Sequence, residues 1–203
     1  MRAARAKIDP ELVRERILAV AEELFRRVGY QKTTVADIAA ELGMSAANVY
    51  RFFPSKAAIN GAICGRICEG MAETTWRAAR SGGSAAERLE RALVDLHRHA
   101  RVTLLKERRM HDMVAAALEE NWPAIKANIE RIATIYEGLI REGIDDGEFA
   151  VDDPAAAAHC LKTGYSSLVH PVMLEQCLDE EDIDQKAVLL ARFLVRALRP
   201  GKG

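Results

Sequence analysis

The chain has 203 residues, of which 49% are hydrophobic and 29% are charged, and its formal net charge is -1. This composition supplies enough apolar residues for a packed core and argues against a uniformly basic nucleic-acid-binding protein. No apolar run is long enough for a membrane-spanning helix, and the four cysteines are too sparse for a disulfide scaffold. We therefore expect a cytoplasmic protein with reduced thiols and no membrane contact.

The charges are unevenly distributed along the chain. Residues 1–56 contain ten Lys and Arg against seven Asp and Glu, whereas residues 57–203 contain nineteen against twenty-three. The N-terminal segment is thus mildly basic and the remainder is acidic. This asymmetry favours contact with phosphates at one end of the chain only.

The first two predicted helices have clear start signals. The first begins at Asp9-Pro10, an N-cap followed by a residue whose fixed φ suits the first turn, and it ends at Gly29. The second begins at Thr34, with Asp37 three residues later as a shorter version of the capping-box acid. Apolar residues at helical spacing support both helices.

A tight turn and a third helix follow directly. Gly43 supplies the left-handed residue that a sharp turn between helices needs, and Ser45 caps the next helix. Pro54 ends that helix because the residue before a proline is pushed out of helical geometry. The pattern predicts a helix of about nine residues, roughly as long as a major groove is wide. Two helices joined in this way are typical of a helix-turn-helix whose second helix enters a DNA groove.

The rest of the chain keeps the helical period and shows no strand pattern. Ser55 caps a long fourth helix that extends to about Arg80. An eighth helix begins at Asp153-Pro154 and is expected to kink at Pro171. We predict an all-α protein with about nine helices.

The N-terminal motif also carries a family resemblance. The residues whose type and spacing match the family are Phe25, Gly29-Tyr30, Thr33-Thr34-Val35-Ala36-Asp37-Ile38-Ala39, Leu42-Gly43, Val49-Tyr50, Phe53 and Lys56. With them, residues 10–60 resemble the DNA-binding domain of the TetR (tetracycline repressor) family. The resemblance implies a helix-turn-helix DNA-binding domain over residues 1–54. It also implies a helical ligand-binding and dimerisation domain over residues 55–203.

The resemblance and the residue types together give candidate contacts with a double-stranded DNA operator. On the third helix, Asn48 and Arg51 have the polar groups that read base edges, while Ala46 and Ala47 suit a thymine methyl. Tyr50 resembles the phosphate-contacting tyrosine of the family. The helix dipole disfavours the Lys56 cation in the first turn of the fourth helix. A DNA phosphate bound there would be attracted both by this cation and by the free backbone amides. The complete expected set is Thr33, Thr34, Ser45, Ala46, Ala47, Asn48, Tyr50, Arg51 and Lys56.

A second set of residues predicts a pocket for a small-molecule effector. Its members are large and partly polar, and they lie on helices expected to enclose a cavity. Together they favour an apolar or aromatic ligand with a few polar anchors. They are Trp76, His97, Arg101, Met113, Trp122, Tyr136 and Tyr165.

The last two predicted helices are the expected homodimer interface. Gly164, Ser166 and Ser167 keep the eighth helix narrow where another helix could approach closely, and Phe193 lies on the apolar stripe of the ninth. The resemblance likewise implies a four-helix interface built from the last two helices. We therefore expect a dimeric repressor that releases its operator when the effector binds.

Two alternatives use different chemistry. Cys64 and Cys68 lie one helical turn apart, and with the five histidines they would suit a metal- or thiol-sensing regulator. An enzyme carrying the same DNA-binding domain is the other alternative. Neither a paired-cysteine zinc motif nor a catalytic motif is present in the sequence, so we expect no cofactor, no metal and no enzymatic activity.

Overall fold

The structure is a computed structural model that describes residues 9–104, 109–120, 122–176 and 182–201. Within those ranges the chain forms ten α-helices, one short 3-10 helix and no strand, which confirms the predicted all-α class. None of these helices is both long and apolar enough to cross a membrane. The helices are α1 (Pro10–Val28), α2 (Val35–Glu41), α3 (Ala46–Tyr50), α4 (Lys56–Ala79), α5 (Ala85–Leu104), α6 (Arg109–Glu120), α7 (Trp122–Asp145), α8 (Pro154–Gly164), the 3-10 helix (Ser166–Leu168), α9 (Pro171–Gln176) and α10 (Ile183–Arg196).

The predicted N-caps are confirmed. Asp9 accepts a hydrogen bond from the Glu11 amide at 3.0 Å at the start of α1. Thr34 and Asp37 form a reciprocal capping box at the start of α2, each side chain accepting from the other residue's backbone amide. These contacts satisfy amide groups that have no partner inside the helix, so they fix where each helix begins.

The turn before α3 also has the predicted geometry, but α3 is shorter than expected. Gly43 has φ +66°, and Ser45 accepts from the Asn48 amide at 3.3 Å. The helix ends at Tyr50 after five residues instead of about nine. Beyond it, the amides of Phe52 and Phe53 both donate to the Val49 carbonyl, so the chain tightens into a turn before the proline.

The predicted eighth helix is divided in two, and the expected kink at Pro171 is wrong. α8 ends at Gly164, a 3-10 turn follows, and Pro171 begins the separate helix α9. Proline lacks an amide hydrogen, so the first position of a new helix suits it better than a helix interior. A Cβ atom on Gly164 would lie 3.3 Å from Leu194, which shows that α8 and α10 approach closely at this glycine.

The chain packs as two compact units. The first combines Met1–Cys64 with Glu107–Asn121, so α6 packs against α1 within the same unit as α2 and α3. The second combines Gly65–Lys106 with Trp122–Gly203, where α5 packs against α7 and α10, and α7 packs against α8. Each unit has its own apolar core, centred on residues such as Phe25 and Ile38 in the first and Leu89 and Leu93 in the second.

Candidate functional site

The expected DNA-reading face of α3 is open to solvent. Val49 is fully buried, whereas Tyr50 is half exposed and Arg51 lies on the surface beside it. Ala47 is also exposed, and Asn48 is partly so. The single inward residue holds α3 against the first unit while the rest of its surface is available to a partner.

Thr33 and Thr34 are neighbours in sequence but face different surroundings. Thr33 is only 1% exposed, and its hydroxyl donates to the Gly29 carbonyl at 2.8 Å. Thr34 is exposed, and its hydroxyl and amide both donate to the Asp37 carboxylate. These hydrogen bonds lower the pKa of Asp37, so its carboxylate stays ionised at neutral pH. Thr33 therefore holds the loop from inside, and Thr34 lies on the surface.

The Lys56 ammonium is bound to the loop that precedes α2. It donates to the carbonyls of Tyr30 at 2.8 Å and Thr33 at 3.1 Å, and a third carbonyl, that of Gln31, lies 3.5 Å away. It also lies 4.3 Å from the centre of the Tyr30 ring. An ammonium has three donors, so this arrangement directs all of them at loop carbonyls. The contacts stabilise the entry to α2 from the first turn of α4.

Arg14 positions the far end of α3, and the sequence reasoning missed it. Its guanidinium donates to the Phe52 carbonyl at 3.2 Å and stacks 4.3 Å from the centre of the Phe53 ring. The two partners lie almost forty residues along the chain from Arg14. No local pattern marks such a pair, so only the fold could reveal it.

The sequence analysis also missed two hydrogen bonds that connect α6 to the rest of the first unit. The Tyr30 hydroxyl donates to the Glu120 carboxylate at 3.0 Å, and the buried Asn60 amide donates to the Met113 carbonyl at 3.0 Å. Burial raises the pKa of Tyr30, and the negative charge of Glu120 raises it further. The tyrosine is therefore a neutral donor at any physiological pH.

Two members of the predicted pocket set are buried tyrosines in the second unit. Tyr165 donates to the Ala187 carbonyl at 3.1 Å. The Tyr136 hydroxyl is buried and has no hydrogen-bond partner among the described residues. Burial raises the pKa of both hydroxyls. Leaving a buried hydroxyl unpaired costs about 1–3 kcal/mol, so Tyr136 is the stronger candidate for a ligand contact.

His97 and Arg101 share one carboxylate. His97 is buried, with Nδ1 2.8 Å from the Leu168 carbonyl and Nε2 3.1 Å from Asp184 Oδ1. Arg101 forms an ion pair with the other oxygen of Asp184. Hydrogen bonds from Arg101 and then from His97 lower the pKa of Asp184, although partial burial opposes the shift. Both predicted pocket residues therefore join α5 to α10.

The remaining members of the pocket set lie apart. Trp76 is 47% exposed on α4, with the Arg80 guanidinium 4.6 Å from its ring centre. Met113 is buried, but it lies on α6 in the first unit. The side chain of Trp122 lies outside the described residues. The predicted set is thus not one continuous cluster.

The cysteines give the sensing alternative no structural support. Cys64 is buried, and burial raises the pKa of the Cys68 thiol, which disfavours the reactive thiolate. Among the residues that the structure describes, no three His, Cys, Asp or Glu side chains lie close enough together to hold a metal ion.

Comparisons with known proteins cover both parts of the chain. A family model described as "Bacterial regulatory proteins, tetR family" matches residues 17–63. A second, described as "Tetracyclin repressor-like, C-terminal domain", matches residues 85–189, about half of the chain.

Individual relatives are distant but similar along most of their length. The HTH-type transcriptional repressor KstR of Mycolicibacterium smegmatis is 24% identical over 90% of this chain and 86% of its own length. A TetR/AcrR-family regulator from Thermobifida fusca has a TM-score of 0.72 at 24% identity, covering 93% of this chain and 99% of that one. SmeT, the repressor of the Stenotrophomonas maltophilia multidrug efflux pump SmeDEF, has a TM-score of 0.69 at 23% identity, covering 92% and 90%.

Proposed function

Since the chain belongs to the TetR family of bacterial regulatory proteins and is a ligand-responsive DNA-binding transcriptional repressor, we propose that it binds a palindromic operator as a homodimer. Residues 1–54 form its DNA-binding domain and residues 55–203 its ligand-binding and dimerisation domain. The two α3 helices enter successive major grooves roughly 34 Å apart, one turn of DNA. It works in the cytoplasm because bacterial operator DNA lies there.

The exposed face of α3 is the single observation that carries this proposal. A helix held by one fully buried residue, Val49, presents its polar side chains outward. Asn48 and Arg51 read base edges, where a bidentate contact discriminates against a wrong base by about 1–3 kcal/mol. Tyr50 contacts a phosphate through its hydroxyl. Ala46 and Ala47 leave room for a thymine methyl.

The residues around α3 complete the phosphate contacts. Thr34 and Ser45 lie at helix N-termini, where backbone amides and the helix dipole attract a phosphate. Lys56 and Thr33 act chiefly by fixing the loop before α2. The charge of Lys56 at the first turn of α4 adds to the attraction for the DNA backbone.

The effector site lies in the second unit. The Tyr136 hydroxyl, which has no partner in the described part of the chain, supports a polar anchor for a small apolar or aromatic molecule. Effector and operator favour different states of the protein, so each weakens the other's affinity by the same factor.

The transmission of the effector signal uses two helices that contact the DNA-binding elements. α4 begins at Lys56, directly after the α3 turn, and extends to Ala79 in the second unit. α6 is held within the first unit by the Tyr30–Glu120 and Asn60–Met113 hydrogen bonds. A tilt of α4 or a shift of α6 would therefore move the base of α3.

The dimer forms through the last two helices, α8 with α9 and α10. Leu189 and Phe193 lie one turn apart on α10 and are 56% and 70% exposed. Burying such apolar surface against a second copy would stabilise the association by about 25 cal/mol per Å².

Selection of operator fragments from a random duplex library tests the proposal. The full chain should enrich a palindrome with half-sites about ten base pairs apart. Asn48→Ala and Arg51→Ala should each relax base preference within a half-site, while Arg141→Ala, at an exposed position of α7, should change nothing. Failure to enrich any sequence would refute the proposed operator binding.

A further inference from the structure

The second unit contains an open groove of about 720 Å³ between the end of α4, the start of α5 and the middle of α7. Of the residues expected to bind the effector, only Trp76 lines it. The volume is within the range of small-molecule sites, about 300–1,000 Å³.

The groove carries a positive charge that its own carboxylate does not balance. Arg80, Arg88 and Arg131 line it, and Glu142 is the one acidic residue in the lining. Arg88 donates to the Ala79 carbonyl at 3.1 Å and to Glu142 at 2.5 Å. This pair is internally neutral. Arg80 and Arg131 therefore leave two positive charges at the groove.

Arg88 also has an unsatisfied donor. Its Nε atom is buried and has no hydrogen-bond partner among the described residues. A guanidinium has five donors, and one carboxylate with one carbonyl does not occupy them all. Arg88 therefore keeps a donor that its two protein partners do not use.

The other walls are flat and apolar. The indole of Trp76 is 47% exposed, and the Arg80 guanidinium stacks on it, 4.6 Å from the ring centre. Ile135 and Leu139 form a buried apolar floor. Gly138 contributes no side chain, and nothing lies within 4 Å of the position that a Cβ would occupy there. The groove thus offers an aromatic surface beside two unbalanced cations.

We propose that this groove binds an organic anion with a flat apolar body, such as an aromatic carboxylate. The body stacks on Trp76 over the apolar floor, and the carboxylate pairs with Arg80 and Arg131. Guanidinium–carboxylate hydrogen bonds are among the stronger polar contacts in proteins. The groove is a site separate from the Tyr136 hydroxyl, which does not line it, and the proposal rests on the proposed function only for the consequence at the operator.

Calorimetric titration of the full chain with naphthoate tests the site, with neutral naphthamide as the matched ligand. We expect naphthoate to bind at least about tenfold more tightly than naphthamide, the effect of one charge-assisted contact. The double variant Arg80→Gln/Arg131→Gln should lose at least about tenfold in naphthoate affinity for the same reason. Arg141→Gln, also on α7 but paired with Glu137 outside the groove, should bind like the original protein.

A second variant keeps the test decisive if the double variant folds poorly. Gly138→Leu adds a side chain where the structure has open space, and leucine is a better helix former than glycine by roughly 0.8 kcal/mol. The variant should unfold no earlier than the original protein and should no longer bind naphthoate. Equal binding of naphthoate and naphthamide, no binding of either, or full naphthoate binding by Gly138→Leu would overturn the proposal.

Operator binding in the presence of naphthoate separates this proposal from the proposed function. Release of the operator supports both. Naphthoate that binds in the groove without changing operator affinity supports the site and overturns its part in the effector response. A protein that binds no operator refutes the proposed function, and the calorimetry still decides the groove.

Discussion

Two buried tyrosines of the second unit differ in a single hydrogen bond. Tyr165 donates to the Ala187 carbonyl, whereas the Tyr136 hydroxyl has no partner in the described part of the chain. Removing an unsatisfied buried hydroxyl is favourable, and removing a satisfied one is not. Tyr136→Phe should therefore raise the free energy of unfolding by about 1 kcal/mol, and Tyr165→Phe should lower it by about 1 kcal/mol.

Urea denaturation of the two variants measures both changes in stability. The two values can be compared directly because each substitution removes one tyrosine hydroxyl. A Tyr136→Phe protein less stable than the original would mean that its hydroxyl has a partner after all. In that case the Tyr136 hydroxyl would no longer be a candidate polar anchor for the effector.

Lys56 stabilises the loop before α2 in the first unit. Its ammonium binds the carbonyls of Tyr30 and Thr33, so Lys56→Met leaves both without this donor. We expect a loss of about 1.5–3 kcal/mol in the free energy of unfolding, the usual contribution of hydrogen bonds to a charged group. Lys32→Met, at an exposed position of the same loop, is the control. Unchanged stability with lost DNA affinity would show that Lys56 acts on phosphate alone.

At the scale of elements, local signals in the sequence predicted helix starts well. Asp9, Thr34 and Ser45 each accept a hydrogen bond from an amide two or three residues later. Both partners of each contact therefore lie in one short segment, where a local pattern can reveal them. The exposed face of α3 follows from the same local pattern. The length of α3 does not, because the Arg14 contacts that hold its end come from a distant part of the chain.

The division of the predicted eighth helix has a similar cause. Sequence reasoning correctly places a narrow segment at Gly164, but the close approach of Leu194 is a property of the packed α8–α10 pair. The pocket was the least predictable feature. His97 and Arg101 were chosen for size and polarity, and both contact the Asp184 carboxylate. Arg80, Arg88 and Arg131, which line the groove, were not among the predicted ligand-binding residues.

The stability that the Asp184 contacts between α5 and α10 contribute should depend on pH. Asp184 has a lowered pKa in the folded protein because Arg101 and His97 donate to it. A carboxyl with a depressed folded pKa contributes stability above its unfolded value of 3.8 and loses it as the pH falls through the folded pKa. The stability difference between the original protein and Asp184→Asn should therefore be present at pH 7 and shrink below about pH 4.

Urea unfolding of both proteins across that pH range provides the measurement. A difference that stays constant down to pH 2 would contradict the assigned hydrogen bonds. Glu90→Gln is the control, since it removes a different carboxylate, the one that pairs with Arg192.

At the scale of the whole molecule, the exposed apolar face of α10 is expected to hold two copies together. Phe193→Asp places a charge at the centre of that face and should convert the dimer to a monomer in sedimentation at micromolar concentration. Val102→Asp is the matched control, because Val102 is a similarly exposed apolar residue on α5. A dimer that survives Phe193→Asp would place the interface elsewhere.

We propose above all that this chain binds DNA as a dimer through the exposed face of α3. A fluorescence anisotropy titration of a selected palindromic duplex, at fixed salt, measures it most directly. We predict two chains per duplex, an affinity at least about a thousandfold above that for a scrambled duplex, and loss of that ratio in Arg51→Ala. Equal affinity for the palindrome and the scrambled duplex, unaffected by Arg51→Ala, would contradict the account.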